Sequence, residues 1–87
     1  MVWLSDLQKE TLLLVDNMIS ENKTFEEISS YLYANDYIFS VRNNSKKTFR
    51  IEKIIRNEDN TIKYENSFVD LIKRRNGLAY WETIKLS

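Results

Sequence analysis

Two pairs of neighbouring carboxylates, Glu26-Glu27 and Glu58-Asp59, carry the functional groups in this 87-residue chain best suited to acid–base chemistry. Adjacent residues diverge on a helix, and Glu58-Asp59 lies in a turn-like run with Asn57, Asn60 and Thr61. Neither pair therefore faces another acid across a cleft, as glycosidic chemistry requires. The same run lacks the glycine and the terminal bidentate Glu of a calcium loop. There is no His and no Cys, which removes the commonest general base, the commonest transition-metal ligand and any thiolate nucleophile. With one Gly in the chain, no phosphate-cradling loop can form. The expectation is a protein that is not an enzyme and that takes neither cofactor nor metal.

Positive charge is more concentrated. Between Arg42 and Arg56 stand six basic residues, Arg42, Lys46, Lys47, Arg50, Lys53 and Arg56, against the single acid Glu52. Lys73-Arg74-Arg75 adds three more. Such a surface can follow phosphates or an acidic protein, with binding that weakens as salt rises. Aromatic side chains are also abundant, among them Trp3, Tyr31, Tyr33, Tyr37, Tyr80 and Trp81. They combine a large contact area with a polar tip and dominate binding hot spots. Arg42, Lys46, Lys47, Arg50, Arg56, Lys73, Arg74 and Arg75, with Tyr37 and Trp81, are accordingly the candidate partner- or nucleic-acid-binding residues.

Net charge is zero, with 13 basic and 13 acidic residues, yet the halves differ. Residues 1–41 hold 2 basic and 7 acidic groups, and residues 42–87 hold 11 and 6. At this length one domain covering 1–87 is expected, too small for a large interior cleft. The first residues lack the basic and apolar regions of a signal peptide. The longest apolar run, Leu12 to Val15, falls far short of the roughly 20 residues that span a bilayer. A soluble, cytoplasmic protein without membrane contact is expected. Nine Asn, nine Ile and eight Lys against two Ala and no Pro suit an AT-rich genome and a phage or mobile-element accessory protein.

The elements that must position these groups follow from capping and periodicity. Ser5-Asp6-Leu7-Gln8 fits a capping box. Leu4, Leu7, Leu14 and Met18, widened by Leu12, Val15 and Ile19, then form the apolar stripe of a helix over about residues 4–20. That stripe is broad enough to suggest a homodimer through the helix. Asn22 suits a left-handed terminus. Thr24-Phe25-Glu26-Glu27 opens a second helix with Phe25, Ile28, Ser29 and Leu32 on one face. From Tyr37 the period changes to two. Tyr37–Val41, Thr48–Arg56 and Thr61–Glu65 read as a three-strand meander, with Arg42 and Arg50 on the face opposite Phe39, Val41, Phe49 and Ile51. Ile54-Ile55 disturbs the alternation and marks the expected bulge.

Residues 67–76 give two signals. Asn76-Gly77 is a hairpin turn sequence. Against it, Ser67-Phe68-Val69-Asp70 resembles a cap, and Phe68, Leu71, Ile72 and Arg75 share one helical face. Strand alternation would place Asp70 with Phe68 and Ile72, and Lys73 with Leu71, so helix is the preferred reading. Leu78–Leu86 alternates as a final strand. The expected fold is α+β in the order α-α-β-β-β-α-β, with two N-terminal helices packed on a mainly antiparallel sheet. A winged helix-turn-helix competes, with Phe25, Ile28, Leu32 and Phe39 as its core and 48–65 as its wing. Tyr33 stands where that turn usually needs glycine, and Tyr37–Val41 is strand-like.

The function these readings favour is a binding module that regulates or inhibits a partner protein by occupying its surface. The alternative is a nucleic-acid-binding regulator working through the basic 42–56 segment. Either requires the helix–sheet core, so Ile28→Asp, which buries an unpaired charge, is expected to abolish the cooperative thermal transition in circular dichroism.

Overall fold

The computed structural model describes residues 5–45 and 47–83, the last two as backbone. Helices α1 (Asp6–Ser20) and α2 (Phe25–Ala34) precede strands β1 (Tyr37–Asn43), β2 (Thr48–Arg56), β3 (Ile62–Lys73) and β4 (Ala79–Thr83). The strands form one antiparallel sheet in the order β1-β2-β3-β4. The α+β class, the two leading helices and the antiparallel sheet are those expected from the sequence. α1 lies over β3 and β4, and α2 over β1.

The helix ends form where their caps stand. Ser5 Oγ accepts the Gln8 amide at 3.0 Å. In α2 the box is reciprocal: the Glu27 amide donates to Thr24 Oγ1 at 3.2 Å, and the Thr24 amide donates to Glu27 Oε1 at 3.0 Å. Asn22 turns the chain between the helices at φ 59°. The core joins Val15, Ile28, Leu32, Ile51, Val69 and Leu71, all at 0% exposure. Each such aliphatic side chain contributes about 1.5–3 kcal/mol on burial. Phe25 caps one side of this core, 5.8 Å from Phe39 and 5.1 Å from Phe49 between ring centroids.

The buried stripe of α1 is rotated from the apolar stripe of the sequence: Gln8, Thr11 and Val15 face the sheet. Thr11 tolerates this because its hydroxyl donates to the Leu7 carbonyl at 2.7 Å. Leu7, Leu12, Leu14, Met18 and Ile19 flank the core half-buried, and Leu13 is 67% exposed. Leu4, Ile84 and Leu86, also read as helix or strand positions, lie outside the described residues.

Three expectations are corrected. Residues 67–73 are strand and 74–77 a turn, not a helix, so the order is α-α-β-β-β-β. The two features that spoke for helix both have partners supplied by tertiary structure. Asp70 shares the outer sheet face with Ile72 because Arg50 stands directly opposite it, and Lys73 shares the inner face with Leu71 because it reaches Glu26 at 2.6 Å. Tyr37–Asn43 is an edge strand rather than a recognition helix, so the winged helix-turn-helix arrangement is absent among the described residues.

The bulge lies elsewhere too. Ile51 opposes Val69 whereas Glu52 opposes Asn66, so Ser67 and Phe68 of β3 are extra residues in the ladder. An insertion of two keeps the side-chain parity, so Val69 and Leu71 still face the helices.

The β3–β4 turn closes on Gly77 at φ 82°, where a Cβ would meet nothing within 4 Å. Gly77→Ala is therefore expected to cost about 1 kcal/mol through backbone strain alone, and Gly77→Asn less. Urea denaturation of the two variants measures the difference.

Candidate functional site

The basic residues sort by strand register. The β1–β2 and β3–β4 turns lie at the same end of the sheet. The amide of Lys73, the last residue of β3, donates to the Lys47 carbonyl at 3.1 Å, which carries the β2–β3 ladder up to the first turn and sets the two turns side by side. The second turn is held by the Arg74 amide to the Leu78 carbonyl at 2.8 Å and by Asn76 Oδ1, which accepts the Leu78 amide at 3.1 Å. The Phe25 amide donates to the Gly77 carbonyl at 2.8 Å, anchoring α2 to the same end. Topology thereby gathers Arg42, Lys47, Lys73, Arg74 and Arg75, which the sequence spreads over more than thirty positions.

Within this end the cations differ in occupation. Lys73 Nζ is bound to Glu26 at 2.6 Å and lies 5.4 Å from the Phe25 ring centroid. That hydrogen bond holds the Glu26 carboxyl below its usual pKa, and the Thr24 backbone amide does the same for Glu27. Arg74 stacks over Tyr80 at 4.3 Å, a contact that orients the guanidinium while leaving the residue exposed. Arg42 leaves β1 at the register shift between Val41 and Asn43, and Lys47 turns the hairpin at φ 52°. Arg42, Lys47, Arg74 and Arg75 are exposed and take part in no ion pair among the described residues. The end can therefore bind an acidic group without first losing an internal partner.

The other candidate residues lie elsewhere. Lys46 is outside the described residues. Arg50 sits in the middle of the outer face, as its strand position implies, but it is 4% exposed and directed at protein groups. Its Nε and Nη2 form a bidentate pair with Asp70, the latter at 3.1 Å to Oδ2, and Nη1 donates to Asn66 Oδ1 at 3.3 Å. The Phe68 ring stands 5.9 Å away. Arg56 is at the opposite end of the sheet, facing Asp36 at 3.4 Å in an exposed pair worth at most about 1 kcal/mol.

Tyr37 is a core residue at 1% exposure whose hydroxyl donates to Glu10 at 3.5 Å, and burial raises its pKa. Trp81 is half-buried against the core. The exposed large apolar residues lie instead at Leu13, Tyr31, Tyr33, Val41, Ile62, Tyr64 and Phe68. Of these, Ile62 and Tyr64 belong to the segment Thr61–Glu65 that the sequence marks as a strand. Phe68 was hidden by the helical reading of its segment.

Between the helices runs a shallow concavity of about 410 Å³, lined by Leu14, Asn17, Met18, Glu21, Lys23, Glu27 and Tyr31. Two carboxylates, Glu21 and Glu27, and the Lys23 ammonium line it. Asp59, in the β2–β3 turn, has its pKa lowered by the Thr61 hydroxyl bond at 2.6 Å. No group of three or more metal-binding side chains occurs among the described residues. Among the described residues no helix is long and apolar enough to cross a membrane.

No family model, curated protein or solved structure matches the chain.

The Arg50–Asp70 pair makes a defined claim about stability. Arg50→Ala leaves Asp70 without its partner and is expected to cost about 2–4 kcal/mol. Arg50→Met combined with Asp70→Leu is expected to cost less than either single change. Urea denaturation of the two single variants and the double variant measures the coupling.

Proposed function

We propose that this protein is a non-enzymatic binding module that engages an acidic surface of a partner protein through the basic end of its sheet, and regulates that partner by occupying the surface. The observation that carries the reading is the Lys73–Lys47 backbone bond. It sets two hairpin turns side by side, so that Arg42, Lys47, Arg74 and Arg75 gather at one end with no ion-pair partner among the described residues.

Protein is favoured over nucleic acid by the charge around that end. Glu26 and Glu27 stand at the adjoining helix terminus, and the helical layer holds most of the acids of residues 1–41. A long phosphate chain would meet this acidic layer, whereas a compact acidic patch would not. The arginines, with Arg74 already ordered on Tyr80, suit carboxylate recognition because a guanidinium fork pairs two oxygens at once.

The test compares the tagged chain with the variant Arg42→Glu/Lys47→Glu/Arg75→Glu. All three sites are exposed, so an unchanged thermal midpoint is expected. Wild type is expected to retain one protein stoichiometrically from nuclease-treated lysate, and the variant to lose it. Retention that disappears with nuclease, together with salt-dependent binding to duplex DNA that the triple variant lacks, would transfer the site to phosphates.

A further inference from the structure

The first half of β3 has one side that no strand among the described residues covers. β4 pairs only with residues 69–73 of β3, whereas 62–66 pair with β2 alone among the described residues. All five are exposed, with Ile62 at 49% and Tyr64 at 55%. The Asn57 amide donates to the Thr61 carbonyl at 2.9 Å, in line with the Arg56–Ile62 register. In an antiparallel ladder, hydrogen-bonded and non-hydrogen-bonded pairs alternate. Lys63 and Glu65 therefore direct their amides and carbonyls toward β2. Ile62, Tyr64 and Asn66 direct theirs outward, forming a short edge that no strand among the described residues pairs with, bounded by the hairpin turn at one end and the Ser67-Phe68 bulge at the other.

We propose that this edge pairs with the same edge of a second copy of the chain, antiparallel about a twofold axis at Tyr64. The register follows from two conditions. Outward backbone groups must meet outward ones, which allows 62, 64 and 66 to oppose only one another. Charges must also oppose favourably. Moving the axis to Lys63 places lysine opposite lysine, and moving it to Glu65 places glutamate opposite glutamate. With the axis at Tyr64, Ile62 meets Asn66 of the second copy, the two Tyr64 residues meet, and Lys63 faces Glu65 twice. Those two charge pairs occupy non-hydrogen-bonded positions, where facing side chains lie closest. The alternating charges thus exclude neighbouring registers while admitting this one.

Five residues per copy make a small interface, so the dimer is weak and depends on concentration. It involves the half of β3 remote from the basic end and does not rest on the function proposed above. Dimerisation would leave both basic ends available at opposite extremities of a continuous sheet, which favours bivalent engagement of a repeated partner surface.

Sedimentation velocity up to millimolar concentration, combined with NMR-detected amide exchange, tests the pairing. Reversible dimerisation is expected, with the amides of Ile62, Tyr64 and Asn66 becoming protected as concentration rises. The amides of Lys63 and Glu65 are expected to be protected throughout. Lys63→Glu and Glu65→Lys are each expected to weaken dimerisation about tenfold or more, and the double exchange to restore it. Lys63→Glu is the cleaner single variant because Glu65 also faces Lys53 within the sheet.

A monomer at every concentration overturns the proposal. So does protection of Ile62, Tyr64 and Asn66 that is independent of concentration, since the edge is then filled within one chain. A dimer insensitive to both single reversals overturns it equally.

Discussion

The guanidinium of Arg50 holds the sheet together at its least regular point. It contacts β3 on both sides of the inserted residues, through Asn66 before them and Asp70 after them, with the Phe68 ring beside it. The insertion would otherwise leave unpaired backbone groups. Asn66 Oδ1 accepts the Phe68 amide at 2.7 Å, and Ser67 Oγ donates to the Ile51 carbonyl while accepting the Val69 amide at 3.3 Å. Phe68 adopts φ 58° at this point, a conformation that costs about 1–2 kcal/mol for a residue with a Cβ. An arginine at 4% exposure on a sheet face without a helix is tolerated because each polar contact of the network is satisfied.

The register on either side of the bulge depends on that network. After it, Val69 and Leu71 face the helices and close the core beneath α1. Before it, residues 62–66 run on as the outer half of a long hairpin with β2. A single inserted residue would have turned Val69 and Leu71 outward, and two do not. The same feature thus completes the core and divides β3 into a half paired on both sides and a half that, among the described residues, pairs with β2 alone.

Charge follows the layers. The acidic first half of the chain becomes the helices and the basic second half becomes the sheet. Two exposed ion pairs cross between them, Lys73–Glu26 at one end and Arg56–Asp36 at the other. Neutrality overall therefore conceals layers of opposite net charge, and Arg42, Lys47, Arg74 and Arg75, without an ion pair among the described residues, lie where the two basic turns meet.

The caps at Ser5 and Thr24, the left-handed Asn22 and the alternation of Tyr37, Phe39, Phe49 and Ile51 were legible from sequence because each depends on residues within a turn or two of one another. So was the presence of a basic surface. Which bases belong to it was not legible, since Arg50 and Arg42 occupy equivalent alternating positions in the sequence, and only strand pairing separates them. Arg50 meets Asp70; Arg42 lies at the register shift of an edge strand, with no further strand beyond it among the described residues. Residues 67–73 could not be read as strand for the same reason: Asp70 and Lys73 look misplaced until Arg50 and Glu26, remote in sequence, are brought against them. Local chemistry thus determined the helices, the turns and the sign of each half of the chain. The register of β3, the burial of Arg50 and the meeting of the two basic turns were decided by tertiary structure, because each depends on contacts between residues far apart in the chain.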